Sequence, residues 1–327
     1  MKDDVNPSLD FDAIAPGFQR MFAHNKLTLG LFFPIESYFG DIPAMTGQLA
    51  LARKADEAGF AALWTRDVPL RDPSFGDVGQ IYDPWVWLGY ITAATSRIAL
   101  ATGSIVLALR HPLDVAKAAA SIDNLSNGRL VLGIATGDRP VEFPAYGRQI
   151  EQRGTLFVES LAYIRRALQE SFPVISSPFG TMSGADLIPK PSRGRIPIAV
   201  TGHSQQSIDW IAANSDAWIM YPRTPAMQAK VVRSWKEAIA HNGKRPTKPF
   251  AQSLYIDLTE DPNAPPQPIH LGFRLGRAAL IDLLHTLEEI GVNHVAFNLK
   301  YGKRPAVEVV DELCQDVLPC FPANLAD

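Results

Sequence analysis

The hydrophobic and polar positions of the chain divide it into two alternating kinds of segment. Eight short segments are rich in apolar and β-branched residues, as is typical of the buried strands of a parallel sheet. These segments are Leu27–Phe33, Ala62–Thr65, Ile98–Leu107, Leu130–Ala135, Ile196–Val200, Ala217–Tyr221, Phe250–Leu258 and His294–Leu299. The pattern therefore predicts eight β-strands.

The intervening segments repeat apolar residues at three- and four-residue spacing, with Pro near the start or Gly just past the end. They predict helices at Ala44–Ala58, Pro84–Thr95, Pro112–Leu125, Arg153–Glu170, Ser204–Asn214, Pro225–His241, Phe273–Ile290 and Pro305–Val317. This strict alternation predicts an α/β protein whose parallel sheet closes into one (β/α)8 TIM barrel. An open doubly wound sheet would place a glycine-rich loop after the first strand, where this chain has Phe33–Glu36.

Three segments depart from the alternation. Residues 1–26 have little periodicity, and we expect them to form an N-terminal extension outside the fold. The barrel should then span residues 27–318, and residues 319–327 should form a C-terminal tail. Residues 171–195 and 259–272 are long and rich in proline, and loops of this length are often functional. We expect 171–195 to be an insertion that builds a pocket near the barrel mouth.

Composition narrows the class of protein. The 31 Lys and Arg residues and 34 Asp and Glu residues give a formal net charge of −3, without a basic run that would favour nucleic acid or anionic membrane. Neither a signal peptide nor a membrane-spanning stretch is visible in the hydropathy. Cys314 and Cys320 are too far apart for a CxxC pair, which fits a reducing compartment. We therefore expect a cytoplasmic globular protein.

In barrels of this class the chemistry lies where strands end and the following loops begin. Four arginines follow predicted strands: Arg66, Arg110, Arg139 and Arg223. Such a set at one face of a slightly acidic protein favours an anionic ligand. The alternative for each single arginine is an ion pair at the rim, with Asp67 or Asp138 as its partner.

The turn after strand five is the sharpest local signal. Gly202 lets a ligand approach the backbone, and Ser204 is a good cap for the predicted helix. The N–H groups at a helix start attract phosphate. A second phosphate site is open at Gly272–Arg277, because many barrels bind phosphate after strand seven. The residues alone do not decide between the two.

Other chemistries lack their motifs. The seven histidines form neither His-x-His nor His-Glu-x-x-His, so no metal site is expected; they are His24, His111, His203, His241, His270, His285 and His294. There is no Gly-x-Ser-x-Gly elbow, and Lys300 lies only at the edge of strand eight rather than inside a strand. A barrel of this composition predicts that a cofactor carries the chemistry.

Several motifs occur in the order typical of one family. They resemble those of the bacterial luciferase-like flavin-dependent oxidoreductases, many of which are monooxygenases. The motifs are Ala58–Phe60, Thr102–Leu107, Arg110–Pro112, Ser126–Ala135, Thr201–Ser204 and Asp216–Ile219. The resemblance covers about residues 27–300, nearly the whole predicted barrel.

The resemblance implies where a flavin would bind. Gly103 and Ser104 would lie under the flavin ring, often with a non-prolyl cis peptide bond between them, and a valine at Gly103 is expected to project into the ring site. Thr136 and Arg153 match family positions that contact the ribityl chain and phosphate. The same is implied for the strand-five turn, formed by Thr201, Gly202, His203 and Ser204. The family match thus favours the strand-five phosphate site.

One departure from the family concerns the catalytic base. The luciferases proper carry a histidine just past strand two, where this chain reads Trp64–Pro69. Light emission is therefore not expected, and Asp67 is the candidate acid–base group in place of that histidine.

The resemblance implies FMN as the cofactor, with a deazaflavin coenzyme as the alternative. We expect a monooxygenase that acts on a small organic substrate with reduced flavin and oxygen. A separate flavin reductase and a second copy of the chain, in a homodimer, are the expected partners. The alternative functions are a deazaflavin-dependent hydride-transfer enzyme and a non-catalytic flavin-binding protein.

Overall fold

A computed structural model describes residues 15–22, 26–76, 79–242 and 247–323. Its main sheet contains eight parallel strands, and each strand pairs with the next one in the chain. They are β1 (Thr28–Phe32), β2 (Ala62–Thr65), β3 (Ala99–Thr102), β4 (Leu130–Ala135), β5 (Ile198–Thr201), β6 (Ala217–Met220), β7 (Phe250–Leu258) and β8 (His294–Asn298). Because β8 also pairs with β1, with Thr28 opposite His294, the sheet closes. The predicted (β/α)8 barrel is confirmed.

A helix follows each strand on the outside of the barrel. The helices are α1 (Gln48–Ala58), α2 (Pro84–Thr92), α3 (Pro112–Leu125), α4 (Arg153–Gln169), α5 (Ile208–Asn214), α6 (Pro225–Asn242), α7 (Arg277–Ile290) and α8 (Ala306–Glu312). Proline opens α2 and α3, where its missing N–H is harmless. Gly59 and Gly291 end α1 and α7 with φ of 100° and 102°, a left-handed backbone that glycine adopts without strain.

Most predicted bounds are close to the observed ones, and β2, β4, β7 and α3 have the predicted bounds. Three predicted helices begin four residues late, at Ile208 rather than Ser204, at Arg277 rather than Phe273, and at Gln48 rather than Ala44. In the second case Gly272–Leu275 instead forms a short strand that pairs in parallel with the C-terminal part of β7, Tyr255–Leu258. Gly272 permits this pairing, since a Cβ there would lie 1.8 Å from the carbonyl oxygen of Tyr255.

Side chains inside the barrel differ from those between the barrel and the helices. Large aliphatic and aromatic residues fill the outer layer. Inside, most strands contribute alanine, and the large residues there are Phe32, Trp64 and Ile219. An eight-stranded barrel has room for few large side chains, so the alanines compensate for the two aromatic rings.

The N-terminal end of the barrel is closed by the helix Pro16–Met21. Phe18 and Met21 are buried with the interior residues, and the Arg20 guanidinium donates to the Phe60 carbonyl at 3.2 Å. Gly17 packs so tightly that a Cβ would lie 2.2 Å from the Arg129 carbonyl oxygen. The prediction that residues 1–26 lie outside the fold is therefore wrong for 15–22, whose apolar residues fill the barrel end. Residues 1–14 and 23–25 lie outside the described residues.

The insertion at residues 171–195 forms a β-hairpin from Ile175–Ser177 and Gly180–Met182. Its tip reaches the segment after β3, where the His111 Nε2 donates to the Phe179 carbonyl at 2.9 Å. Together with the first turns of α3 it lines a cavity of about 620 Å³. Tyr163 of α4 also lines this cavity, which therefore lies between the insertion and helices α3 and α4.

The C-terminal segment continues from α8 into the wide helical turn Leu313–Val317 and the short turn Leu318–Cys320. Phe321 is 1% exposed and its ring centroid lies 4.8 Å from that of His285. The expectation of a tail from residue 319 is thus wrong as far as Phe321, because this ring completes the core beneath α7. Across the described ranges, no helix combines the length and apolar character needed to cross a membrane.

Candidate active site

The carboxyl end of β3 carries an irregularity in the sheet. Ala101 pairs with Val131, and Ile105 pairs with Ile134. Between these two pairs the chain from β3 advances by four residues, whereas β4 advances by three. The extra residue forms a bulge, at which the Gly103–Ser104 peptide bond is cis. The predicted cis bond at this junction is confirmed.

Gly103 faces the interior of the barrel rather than the open mouth. A Cβ at this position would lie 3.0 Å from the Trp64 ring and 3.1 Å from the Phe32 ring. The expectation that a valine here projects into a ring site is therefore wrong, because the added carbons would meet two buried aromatic side chains. The glycine lets the bulged backbone rest directly on these rings.

The bulge meets the end of β5 across the top of β4. The Ser104 and Thr201 hydroxyls are in hydrogen-bond contact, and the Ser204 hydroxyl donates to the Thr201 carbonyl at 2.8 Å. Thr136 is the first residue after β4. Ile134 pairs with Val200, so Thr136 and Gly202 each lie two residues beyond the last pair of these strands. Hydroxyl-bearing residues from three neighbouring strand ends thus meet at one edge of the mouth.

The turn after β5 does not form a helix start at Ser204. Gly202, Ser204 and Gln205 all have left-handed backbone, with φ of 59°, 45° and 58°. These three residues interrupt the helical geometry, and α5 begins only at Ile208, where the Ser207 hydroxyl accepts the Trp210 N–H. The prediction of Ser204 as the helix cap is wrong, because the turn satisfies its own hydrogen bonds first.

Another helix start lies against this turn. Helix α4 begins at Arg153 and has no side-chain cap. A Cβ on Gly154 would lie 2.9 Å from Gln205, and the Gln206 amide donates to the Gly154 carbonyl at 3.1 Å. The structure therefore brings the predicted residue Arg153 to the strand-five turn. A positive helix end, a guanidinium and three hydroxyls form a set of donors suited to a phosphate.

The alternative phosphate site after β7 is built differently. Arg274 lies 3.5 Å from Asp257, and Arg277 lies 3.2 Å from Glu312. Gly276 is required for packing, since a Cβ there would lie 2.4 Å from the Pro262 carbonyl oxygen. Ion pairs and backbone contacts account for these residues, so the geometry favours the site after β5.

Asp67, the sequence-based candidate for an acid–base group, is held in a buried ion pair. The Arg110 guanidinium donates to both of its oxygens at 2.7 Å, and the Val106 N–H donates to Oδ2 at 3.1 Å. Arg110 also donates to Asp83 at 2.9 Å. The geometry thus supports the rim ion pair as the interpretation of Arg110, and Asp67 fixes the segment after β3.

Sequence reasoning missed Glu142, which opens the short helix Glu142–Ala145 after β4. Its side chain is 2% exposed, and its Oε1 is buried without a hydrogen-bond partner among the described residues. Burial raises the pKa of this carboxyl to about 7, against the opposing charge of Arg139. No motif distinguishes this glutamate from the other acidic residues; its burial is visible only in the folded chain.

The histidines examined by sequence have structural roles where hydrogen bonds define them. His294 is fully buried at the start of β8, where its Nε2 accepts the Trp64 indole N–H at 3.0 Å and its Nδ1 lies 2.8 Å from the Thr28 hydroxyl. Burial lowers its pKa to about 3, so the ring is neutral. The Nδ1 of His111 accepts the Leu113 N–H at the start of α3. His203 is exposed in the strand-five turn, where its ring meets the edge of Trp218.

Comparison with known proteins agrees with this geometry. The family model described as luciferase-like monooxygenase matches residues 28–264, most of the barrel. The chain belongs to the luciferase-like monooxygenase family. A relative that is 31% identical over 190 residues is an uncharacterized protein of Mycobacterium tuberculosis, with 53% of this chain and 67% of that protein covered.

Solved luciferase-like structures share the fold at low identity. An F420-dependent secondary alcohol dehydrogenase in complex with an F420-acetone adduct superimposes with a TM-score of 0.75 at 18% identity, covering 90% of this chain and 99% of the other. A type II Baeyer-Villiger monooxygenase of Pseudomonas putida in complex with FMN gives a TM-score of 0.70 at 15% identity, covering 91% and 100%. This luciferase-like chain therefore shares its barrel with proteins of both cofactor types.

Proposed function

We propose that this luciferase-like protein is an FMN-dependent monooxygenase that acts on a small organic substrate with reduced flavin and oxygen. The observation that carries the proposal is the donor cluster at the mouth. There the bulge at Gly103–Ser104, the Thr201 hydroxyl and the uncapped start of α4 at Arg153 lie side by side. Backbone that can approach a flat ring, next to a phosphate site, fits the two ends of a flavin nucleotide.

The residues divide into those for the ring and those for the chain of the nucleotide. Gly103 and Ser104 would lie against the isoalloxazine, on the aromatic floor formed by Phe32 and Trp64. Thr136 and Thr201 offer hydroxyls to the ribityl chain. Bound reduced flavin would supply the electrons and the reaction with oxygen.

The phosphate would lie between the strand-five turn and α4. Arg153, whose guanidinium donates to the Ile150 carbonyl at 2.8 Å, would offer the phosphate a charge-assisted hydrogen bond, and the start of this 17-residue helix adds the positive end of its dipole. The strand-five turn at Gly202 and Ser204 would bound the phosphate from the other side, with the turn itself held by the Gly202 N–H on the Ile219 carbonyl and the Ser204 hydroxyl on the Thr201 carbonyl, each at 2.8 Å. This arrangement keeps the predicted residues but assigns the helix dipole to α4 rather than α5.

A deazaflavin-dependent hydride-transfer enzyme is the second candidate. Its support is the close fold match to an F420-dependent alcohol dehydrogenase, together with the segment after β2, which has Asp67 in an ion pair where the luciferases proper have a histidine. A separate flavin reductase as electron donor and a homodimeric assembly belong to the main proposal, and a non-catalytic flavin-binding protein remains the alternative outcome of its test.

The test is titration of the purified protein with FMN and with deazaflavin, followed by oxygen uptake with reduced FMN. Arg153→Ala should lose a charge-assisted hydrogen bond of roughly 1.5–3 kcal/mol, or about tenfold or more in FMN affinity. Arg166→Ala is the matched control, because Arg166 lies on the same helix but pairs with Glu170 at its far end.

Each outcome has a defined meaning. FMN binding with oxygen uptake that depends on substrate supports the monooxygenase, and turnover of reduced deazaflavin supports the second candidate. Tight FMN binding without any turnover indicates a binding protein. Equal FMN affinity in Arg153→Ala and Arg166→Ala would refute the phosphate site.

A further inference from the structure

A buried carboxyl at the barrel mouth is not explained by the proposed cofactor site. Glu142 is 2% exposed, and one backbone N–H, that of Leu70, binds its carboxyl. The other oxygen, Oε1, is buried without a hydrogen-bond partner in the part of the chain that the structure describes. An ionised oxygen in this position would lose its hydration without compensation, whereas a protonated carboxyl avoids the buried charge.

The charged groups around Glu142 come from the segments after β2 and β4. Arg139 favours the ionised carboxyl, while Asp67 and Asp138 oppose it. The Tyr146 phenol also faces this group, and burial together with the surrounding charges raises its own pKa. Because the positive charge of Arg139 is opposed by two carboxylates, burial dominates and the proton stays on Glu142 near neutral pH.

Leu70 supplies the backbone N–H that binds the carboxyl. It belongs to the segment between β2 and α2, which crosses the mouth and touches the ends of other strands. In the same segment, the Phe75 ring lies 4.4 Å from the Arg139 guanidinium carbon, and the Gly76 carbonyl accepts the Lys300 ammonium at 2.8 Å. This segment thus links the residues after β2, β4 and β8, and its Leu70 N–H holds the Glu142 carboxyl.

We propose that Glu142 is the acid of the barrel mouth and donates its proton to an oxygen atom of the bound substrate. The assignment rests on the proposed oxidoreductase function and deepens it. The substrate class that fits is a carbonyl compound, whose oxygen gains negative charge during the reaction. Asp67 is unsuited to this role because Arg110 occupies both of its oxygens.

The proton transfer balances within the site. The O–H bond of the Glu142 carboxyl breaks, an O–H bond to the substrate oxygen forms, and a carboxylate remains. Arg139 and the Leu70 N–H stabilise this carboxylate. Water returns the proton after the product leaves, which restores the starting acid.

The protonation state can be tested without any cofactor. Infrared spectra of the full chain should contain a carboxylic-acid C=O band that disappears with a midpoint near pH 7. The band should be missing in Glu142→Gln and present in Glu237→Gln, which changes an exposed glutamate on α6. A band that titrates in the ordinary glutamate range would overturn the assignment.

The donor role is tested with FMN and a panel of aliphatic aldehydes and ketones. Glu142→Gln should bind FMN within about twofold of wild type and lose about 10²-fold or more in kcat. It should also lose the decline of kcat/KM above pH 7, and Glu142→Asp should restore part of the rate. A wild-type pH profile in Glu142→Gln, or no turnover of any carbonyl compound by FMN-bound wild type, overturns the donor role. Failure of wild type to bind FMN instead overturns the proposed function, and with it this role.

Discussion

The two ends of the barrel each bury a titratable side chain, and the two side chains differ in their hydrogen bonds. At the N-terminal end, both ring nitrogens of His294 are matched, by Thr28 and Trp64. At the mouth, Glu142 is almost as buried, but its Oε1 has no partner among the described residues. Burial alone therefore does not mark a functional site. A buried polar atom left without a partner, at the end of the barrel where ligands bind, is the more specific reason to propose one.

The same physical cause gives the two groups opposite dependence on pH. Burial disfavours the charged form, so it lowers the pKa of His294 to about 3 and raises that of Glu142 to about 7. The stability contributed by neutral His294 is complete above its unfolded pKa of 6.5 and is lost as the pH falls towards 3. The stability linked to protonated Glu142 is complete below 4.5 and is lost as the pH rises to about 7.

The largest loss of stability should come from replacing His294, the side chain whose two ring nitrogens both have hydrogen-bond partners. His294→Ala leaves a cavity and removes the acceptor of the buried Trp64 indole N–H, so we expect a loss of about 3–5 kcal/mol in the free energy of unfolding. Urea denaturation at neutral pH measures it, and the exposed His241→Ala serves as the control. A loss below about 1 kcal/mol would show that the network at this end is not structural.

At the mouth, the ion pair of Asp67 is the next most sensitive feature. Asp67→Asn should reduce the free energy of unfolding by about 2–3 kcal/mol, because it leaves the Arg110 guanidinium with only the half-exposed Asp83. Asp83→Asn is the control and should lose less than about 1 kcal/mol, since asparagine keeps the cap of α2. Equal losses in the two variants would remove the distinction between them.

Gly103→Ala tests the contact between the bulge and the interior rings. The added Cβ lies 3.0 Å from Trp64, so we expect a loss of about 1–3 kcal/mol in the free energy of unfolding. A Cβ on Gly89 of α2 would lie 3.9 Å from the Ile122 side chain, an ordinary contact, so Gly89→Ala should instead gain about 0.5–1 kcal/mol. Thermal unfolding of both variants measures the difference. If Gly103→Ala is as stable as wild type, the Trp64 and Phe32 rings can shift to admit the methyl group without a loss of stability.

The smallest expected effect is a change in how steeply the free energy of unfolding varies with pH. Between pH 4.5 and 7, ionisation of Glu142 contributes a decline of stability with rising pH that Glu142→Gln should lack, so the slopes of the two proteins should differ by about 1 kcal/mol per pH unit. Over the part of this range below 6.5, the opposite slope of His294 masks the decline in wild type. Unfolding of the variant at several pH values separates the two, and parallel curves would contradict the raised pKa of Glu142.

The sequence was informative wherever a local rule sufficed. The bounds of β2, β4, β7 and α3 followed from apolar runs and from proline and asparagine–glycine stops. It was misleading at Ser204, where a good capping residue stands in a turn that takes left-handed backbone instead. Capping preference is a weak local term, and the packing of Gln205 and Gln206 against Gly154 opposes it.

The chain by itself thus determined the number and order of the eight barrel strands and the eight helices that follow them, and with them the closed barrel whose mouth carries the strand-end residues. Only the tertiary structure decided what those residues do. It paired Asp67 with Arg110, brought the start of α4 rather than that of α5 to the strand-five turn, and buried Glu142 against the Leu70 N–H. Periodicity is a property of neighbours along the chain, whereas burial and pairing depend on residues tens of positions apart, which only folding brings together.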